Sequence, residues 1–225
     1  MEAPVRKIRY IHKAIRKELD RLEQEALALN PNDREALDRL AERHAFLQMV
    51  VRAHSDGEDE VMFPELETKV PNVTEPYVLD HRAKDEAFET VGRLIGELRE
   101  ASSEQRRSEL LWGIQRGFIA LNTDLVNHFR KEELHLVPLV EQNFGFEEQG
   151  ETVRRSLEHY PREQMPRIFG WMINALDPDE RADQLQTVMR TLPPQALAPA
   201  FEEARKLIGP DAWRELQRRI PDLAA

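Results

Sequence analysis

The chain has 225 residues, enough to bury one sizeable hydrophobic core, as one large domain or as a domain with an appendage. Its 42 acidic residues outnumber its 32 basic ones and give a formal charge of −10, which argues against sequence-independent binding to nucleic acid. Because cysteine is absent, the chain has no disulfide, thiolate nucleophile, iron–sulfur cluster or cysteine-type zinc site, so nitrogen and oxygen atoms must hold any metal.

The apolar segments of the sequence are short. None approaches the length of about 18 residues that a membrane-spanning helix needs. No signal-peptide core follows the first residues. We therefore expect a cytoplasmic protein that does not interact with a membrane.

The first two predicted helices each carry a histidine on an apolar face. Apolar residues recur at steps of three and four from about Val5 to Leu29, and His12 lies on that stripe. After a turn rich in asparagine and proline, a second stripe runs from Leu37 to Val61. His54 and Glu58 are four residues apart on this second stripe, so both face the same side of the helix.

The third and fourth predicted helices repeat this arrangement. After a break at residues 70–76, the third helix carries His81 on its apolar stripe. The fourth helix places His128 and Glu132 on its inward face, again four residues apart. The neighbouring Glu133 is rotated away from that face by about 100°.

Short connections make successive helices antiparallel, so we predict an all-α, up-down-up-down four-helix bundle over residues 1–143. Two histidines lie near the starts of helices one and three, and the two His/Glu pairs lie near the ends of helices two and four. All of these side chains should therefore meet at one end of the bundle. The predicted metal ligands are His12, His54, Glu58, His81, His128 and Glu132.

Four imidazoles and two carboxylates suit iron, manganese or zinc. The six side chains are too many for one tetrahedral zinc ion and too few for two closed octahedra. Two iron ions bridged by Glu58 and Glu132, with an oxo or hydroxo bridge and an open position, would employ all six side chains as ligands. Zinc and manganese are the substitute metals. The alternative is that buried histidines only form hydrogen bonds in the core. Burying so many ionisable groups without a cation would cost several kcal/mol each, which argues against that alternative.

Residues 144–225 differ in sequence pattern from residues 1–143, because prolines separate shorter predicted helices. The predicted helices are Phe146 to His159, Arg162 to Leu176, Pro178 to Leu192 and Pro194 to Ile208. Apolar residues such as Trp171 and Ile173 give this segment enough apolar surface to pack on the bundle. We expect a C-terminal helical extension with a structural or partner-binding role, since it contains no cluster of metal ligands.

Four other polar residues have open roles. Asp85, one turn after the third-helix histidine, can add a ligand or orient one. Glu133 and His135 follow the fourth-helix carboxylate closely, and we favour a role outside the site for His135. His44 lies roughly 15 Å along the axis from the second-helix ligands, too far for the same metal, so we expect it to be a core or interhelix hydrogen-bonding residue.

The pattern H…HxxxE…H…HxxxE, with the segments Glu58–Pro64 and Phe144–Gln149, resembles the hemerythrin-like (HHE cation-binding) family, in particular the hemerythrin domains of BRUTUS-type iron-regulating proteins. The resemblance covers roughly residues 5 to 200. It implies an iron-binding helical bundle whose ligands are the six residues above. Oxygen-carrying hemerythrins have a further histidine where this chain has Asp85. Since more carboxylates stabilise ferric iron, reversible oxygen carriage is disfavoured.

These observations predict a non-haem di-iron protein that binds or reacts with O2, NO or peroxide, in sensing, scavenging or detoxification. One alternative is a non-enzymatic iron or oxygen sensor whose C-terminal helices report the metal state to a protein partner. Another is a ferroxidase or iron-handling protein, suggested by the acidic surface.

Overall fold

A computed structural model describes residues 2–191 and 194–224. All regular secondary structure in these residues is helical, which confirms the predicted all-α class. None of the described helices has the length and apolar character required to cross a membrane.

Four long helices form an up-down-up-down bundle, as predicted, and two of them continue beyond a wider turn. The four are α1 (Ile8–Ala28), α2 (Arg34–Gly57), α4 (Glu75–Glu100) and α5 (Glu104–Lys131). The continuation of α2 is α3 (Phe63–Lys69), and that of α5 is α6 (Val137–Asn143).

Side-chain caps determine where α2 and α5 begin. The Asp33 carboxylate accepts a hydrogen bond from the Ala36 amide at 3.0 Å, at the start of α2. The Ser103 hydroxyl accepts one from the Arg106 amide at 3.2 Å, at the start of α5. These oxygens satisfy amides that have no partner within the first helical turn. Both caps end short turns, which makes the flanking helices antiparallel neighbours.

The predicted apolar stripes make up the bundle core. Buried residues along them include Leu19, Leu22, Leu40, Leu47, Phe88, Ile95, Phe118 and Leu121. Around the core, Asn122 of α5 donates hydrogen bonds to Asp20 and Glu23 of α1. Arg43 of α2 donates to Glu18 of α1. Burying one such apolar side chain contributes about 1.5–3 kcal/mol, more than a typical surface ion pair, so the core dominates the stability of the bundle.

The continuations of α2 and α5 begin with a feature that the sequence prediction missed. α2 passes into α3 through a π-helical turn at Glu58–Met62, and α5 passes into α6 through another at Glu132–Leu136. In both turns, the amide of the next residue donates a hydrogen bond to the carbonyl of the first residue, five positions earlier. Each π turn therefore begins at a predicted ligand carboxylate.

A proline accounts for the position of each π turn. Pro64 and Pro138 follow the two carboxylates by six residues and lie in the first turns of α3 and α6. Inside a helix, proline has no amide hydrogen to donate, and its ring collides with the carbonyl four residues earlier. A wider preceding turn relieves this collision, so each helix continues past its proline. Single π turns of this kind are frequent at functional sites.

By internal packing, the described chain forms two units. The first contains residues 2–6 and 15–159, which include α7 (Phe146–Ser156). The second contains residues 7–14, at the start of α1, and residues 160–191 and 194–224. The domains expected from the sequence, 1–143 and 144–225 with the second packed on the first, stay a prediction.

The second unit has its own apolar core. Its helices are α8 (Met165–Ala175), α9 (Pro178–Thr191) and α10 (Pro194–Arg219). Tyr10 and Ala14, from the start of α1, belong to this core together with Ile173, Leu185 and Ala204. The first turns of α1 therefore contribute to the packing of the C-terminal helices.

Helix ends in the second unit differ in part from the prediction. A 3-10 turn at Arg162–Gln164 precedes α8, whose predicted start was Arg162. Within α10, Gly209 (φ 83°) interrupts the helix directly after Ile208, the predicted end, and a second helical stretch runs from Pro210 to Arg219. Glycine adopts this positive φ without strain because it lacks a Cβ atom. The predicted end of α9 at Leu192 lies outside the described residues.

Gly57, the last residue of α2, lies at a close contact with the end of α7. A Cβ atom at this position would lie 2.8 Å from the carbonyl oxygen of Ser156. The Ser156 hydroxyl in turn donates a hydrogen bond to the Gly57 carbonyl at 2.9 Å. The backbone beside Glu58 is therefore packed too tightly for any side chain at position 57.

We expect Gly57→Ala to lower the free energy of unfolding by about 1–3 kcal/mol, because the methyl group overpacks this contact. Gly96→Ala is the matched control, since a Cβ atom at Gly96 has no neighbour within 4 Å. The control should gain up to about 1 kcal/mol from improved helix propensity. Urea unfolding of the metal-free proteins measures both changes, and equal effects of the two substitutions would contradict the close contact.

Candidate metal centre

All six predicted ligands are buried. His12 and Glu132 have no exposed surface, and His54, the most exposed of the six, is 7% exposed. Charged groups at such depth are stable when they are paired or bind a metal. Their joint burial therefore indicates that they are paired with one another or form a binding site.

Four of these residues form one group around a common point. Glu58, His81, His128 and Glu132 each offer a ligand atom, and these atoms lie within 4.8 Å of one another. The Nε2 atom of His81 is 3.1 Å from Nε2 of His128 and 3.4 Å from Oε2 of Glu58. The Nε2 atom of His128 is 2.5 Å from Oε1 of Glu132. Two nitrogen donors and two carboxylates thus converge at the junction of α4, α5 and the π turns.

A second set of ligand atoms shares the two carboxylates. His54, Glu58 and Glu132 also offer atoms within 4.8 Å of one another. Nε2 of His54 lies 3.6 Å from Oε1 of Glu58, while the other Glu58 oxygen is the one near His81. Glu58 therefore lies between two imidazoles and presents one oxygen to each.

His12, the remaining predicted ligand, lies on α1 about one turn before Ile15. It belongs to the stretch of α1 that is grouped with the second unit. Its assignment as a ligand stays a prediction.

Two aspartates orient the imidazoles of the first group. Oδ1 of Asp59 lies 2.7 Å from Nδ1 of His81, and Oδ2 of Asp80 lies 3.0 Å from Nδ1 of His128. Lys131 donates a hydrogen bond to Asp80. When Nδ1 donates its hydrogen to a carboxylate, Nε2 is left to face the group, which is the usual arrangement for a metal-binding histidine. Both aspartates are adjacent to predicted ligands; the sequence places Asp59 either on a solvated face or in contact with a ligand, and it assigns no role to Asp80.

The charge around His81 is strongly negative. Burial lowers the pKa of His81, but the hydrogen bond with Asp59 and the nearby carboxylates of Glu132 and Glu58 outweigh burial and raise this pKa to about 10. The imidazole of the metal-free protein is therefore protonated at neutral pH. A metal ion that binds at His81 must displace this proton, so metal binding is coupled to proton release.

Aromatic rings enclose the imidazoles. Phe63 of α3 stacks on His81, with ring centroids 5.6 Å apart and planes 12° from parallel. The Phe129 ring contacts the rings of His54 and His128 at 6.1 and 5.7 Å. Phe63 is 2% exposed and Phe129 is fully buried, so these rings exclude water and hold the imidazole planes in place.

The carboxylate of Glu58 provides a test of whether a metal fits. Neither of its oxygens accepts a hydrogen bond from the described residues. Burial and the charge of Glu132 raise the pKa of Glu58, but His54 and His81 lower it further, so the pKa lies below its usual value. The group is therefore a buried anion that faces the imidazoles of His54 and His81 at 3.6 and 3.4 Å. A bound cation satisfies it, and the imidazole and carboxylate donors suit iron, manganese or zinc.

Three residues whose roles were open lie outside both groups. Asp85 is 3.9 Å from the guanidinium of Arg52, and Glu133 accepts a hydrogen bond from Arg16 at 2.9 Å. His135 is exposed. Among the described residues, none of the three offers a ligand atom to either group.

Lys84 is a buried residue that the sequence analysis missed. It lies on α4 three residues after His81 and is 3% exposed. Residues three apart share a helix face, so the spacing from a predicted ligand was the available signal. Lysine is common on solvated helix faces, so this spacing alone does not predict its burial.

His44 lies in the bundle core, in agreement with the expectation. Its ring contacts those of Phe88 and Phe118, with centroids 5.6 and 5.9 Å away. Burial lowers the pKa of His44 to about 4, although a hydrogen bond with the Phe88 backbone opposes the shift. The imidazole is therefore neutral at pH 7.

A helical bundle that gathers buried imidazoles and carboxylates at one junction is a metal-binding helical domain. Residues 3–140 match the hemerythrin HHE cation-binding domain. The chain belongs to this family, and the resemblance inferred from the motif is confirmed.

Two plant proteins are among the relatives. The chain is 30% identical over 197 residues to a BRUTUS-like zinc finger protein of Arabidopsis thaliana, and 29% identical over 192 residues to the zinc finger protein BRUTUS of that plant. These alignments cover 88% and 85% of this chain but 16% and 15% of the relatives. The chain thus spans about one sixth of the length of the relatives it matches. No solved structure matches it significantly.

The neutral, buried state of His44 predicts a pH dependence of stability. The unfolded chain protonates this imidazole near pH 6.5 and the folded chain near pH 4, so stability is lost as the pH falls from about 6.5 to about 4. We expect the free energy of unfolding of the metal-free protein to fall by about 2–3 kcal/mol more than that of His44→Asn over this interval. Urea titrations at several pH values measure the difference. The exposed His135→Asn should retain the wild-type slope, and equal slopes for all three proteins would contradict the prediction.

Proposed function

We propose that this chain holds two iron ions and that the loaded protein binds or reacts with O2, NO or peroxide in a sensing, scavenging or detoxifying role. The proposal places this chemistry in the cytoplasm, as expected from the sequence. Bound iron would supply the redox chemistry and an open coordination position. The protein supplies the ligands, their orientation and a dry environment.

One observation supports a binuclear site above all. The two sets of clustered ligand atoms have Glu58 and Glu132 in common. A carboxylate has two oxygens and can serve two ions, whereas an imidazole offers one nitrogen to the site. Shared carboxylates flanked by separate histidines are the arrangement of di-iron carboxylate proteins built in helical bundles.

His12 completes the proposed ligand set. With it, the one shared pair of carboxylates is flanked by two pairs of histidines, one pair from α1 and α2 and the other from α4 and α5. Its support is the sequence pattern, its complete burial, and its position within the residues that match the family. The proposed ligands are His12, His54, Glu58, His81, His128 and Glu132.

The surrounding residues are suited to controlling reactivity. Asp59 and Asp80 hold the imidazoles of His81 and His128 through Nδ1 and leave Nε2 toward the site. Phe63 and Phe129 exclude water from these rings. Restricted water access protects a reactive iron site from side reactions.

Iron loading tests the proposal. Wild-type protein loaded under reducing conditions should contain about two iron ions per chain, and oxidation should produce the near-ultraviolet absorption of an oxo- or hydroxo-bridged pair. Glu58→Ala should lose most of the bound iron, because removing a shared ligand affects both ions. Metal analysis and stopped-flow mixing of the reduced protein with O2, NO and H2O2 measure these outcomes.

The matched control is Glu60→Ala, since Glu60 lies two residues away with a side chain that is 69% exposed. It should keep wild-type iron content and spectra. The proposal is wrong if loaded wild-type protein holds neither iron nor the chromophore.

A second candidate function is a non-enzymatic sensor that reports the metal state to a protein partner through the C-terminal helices. One observation favours it. Tyr10 and Ala14, on either side of His12, belong to the core of the second unit. A metal bound by His12 would therefore restrain the same turns of α1 that pack with α8, α9 and α10.

Hydrogen exchange distinguishes a sensor from a protein that only binds or reacts with O2, NO or peroxide. For a sensor, we expect metal loading to slow amide exchange beyond Phe146 several-fold, because restraining α1 stabilises the core that shares its first turns. His12→Asn should abolish this protection beyond Phe146 while exchange at α5 still responds to metal. Identical exchange of the C-terminal helices with and without metal would refute the sensor function.

A further inference from the structure

Lys84 is a buried cation without a hydrogen-bond partner. Lys84 is 3% exposed, and its Nζ atom has no hydrogen-bond partner within the described part of the chain. Burial lowers the pKa of Lys84 to about 8, although nearby carboxylates oppose the shift. A buried, unsatisfied ammonium destabilises the folded chain, so its presence calls for a compensating role.

The surroundings of Lys84 connect it to the candidate metal centre. Its Nζ atom lies 5.9 Å from the centroid of the Phe129 ring. The same ring contacts the imidazoles of His54 and His128. Glu58 and Glu132 act on the charge of Lys84. The ammonium is thus buried inside the bundle near Phe129, a ring that also contacts two proposed ligands, and the charges of Glu58 and Glu132 act on it.

The neighbouring aspartates form hydrogen bonds with other residues and not with Lys84. Asp59 lies at Nδ1 of His81, and Asp80 lies at Nδ1 of His128 and accepts a hydrogen bond from Lys131. Three donor hydrogens of Lys84 therefore stay available in a site that excludes water. In such a site, a hydrogen bond to a charged acceptor is about twice as strong as one between neutral groups.

We propose that Lys84 is the recognition residue for a small anion that binds at the metal centre, such as azide, hydroperoxide or another compact oxyanion. This inference rests on the proposed metal site. The ammonium donates a hydrogen bond to the anion and balances its charge, while the imidazoles and carboxylates hold the metal. Neutral diatomic molecules bring no charge for Lys84 to balance, so the residue makes the site selective for ligands that enter as anions.

Azide is a suitable probe because it is a small anion with an infrared stretch that responds to hydrogen bonding. In iron-loaded protein, Lys84→Met should weaken azide binding about tenfold or more, the loss expected for one charge-assisted hydrogen bond. The infrared stretch of bound azide should shift in the same variant. NO, a neutral probe, should bind to wild type and variant with affinities that differ less than about threefold.

Lys17→Met is the control, since Lys17 is an exposed lysine on α1. It should leave azide affinity and the infrared stretch unchanged. Lys84→Gln is a second variant that keeps a polar group of similar length, in case the methionine variant does not fold. Iron content and urea unfolding of each protein show whether a loss of binding is specific.

The outcomes separate this inference from the function it rests on. Normal iron content with unchanged azide affinity and stretch in both Lys84 variants overturns the anion role and leaves the di-iron proposal intact. An equal loss of azide and NO binding indicates a structural role for Lys84 and also overturns the inference. A wild-type protein that takes up no iron overturns the proposed function, and the anion role with it.

Discussion

Two carboxylates buried side by side impose the constraint on which this structure depends. Glu58 is 2% exposed and Glu132 is fully buried, and ligand atoms of both lie within 4.8 Å of one another. Like charges at this separation repel strongly in an interior of low dielectric constant, so the fold tolerates them only with positive charge between them. In the metal-free chain, the proton on His81 and the ammonium of Lys84 supply part of that charge. A bound metal cation would supply more of it.

The two halves of the bundle position their buried carboxylates with the same local structure. Each uses a long helix that ends in a His/Glu pair, a π turn that begins at the glutamate, and a proline six residues later. The proline prevents a regular helix from continuing, and the π turn lets the chain proceed in the same direction. Because the two halves converge, each carboxylate lies beside an imidazole from its own helix and close to those of the other half. The geometry of the site therefore depends on the repeated His/Glu pair, π turn and proline as well as on the individual ligands.

The environment of the imidazoles separates a chemical role from a structural one. Asp59 and Asp80 bind the outer nitrogens of His81 and His128, so the inner nitrogens stay directed at the carboxylates. His44, in contrast, is enclosed by apolar rings and has no carboxylate partner within the described residues. Burial lowers the pKa of His44, and negative neighbours raise that of His81. At neutral pH, two buried histidines of one bundle therefore differ in charge: His44 is neutral and His81 is protonated.

Periodicity alone determined most of the bundle and located the inward faces that carry His54, His81 and His128, because helical register is a local property of the chain. Tertiary structure decided the rest. The π turns were missed because apolar spacing continues through them, and the hydrogen-bond shift that defines them cannot be seen in residue spacing. Lys84 was missed because its burial depends on helices distant in sequence. The grouping of the first turns of α1 with the C-terminal helices likewise depends on long-range packing, which no local pattern contains.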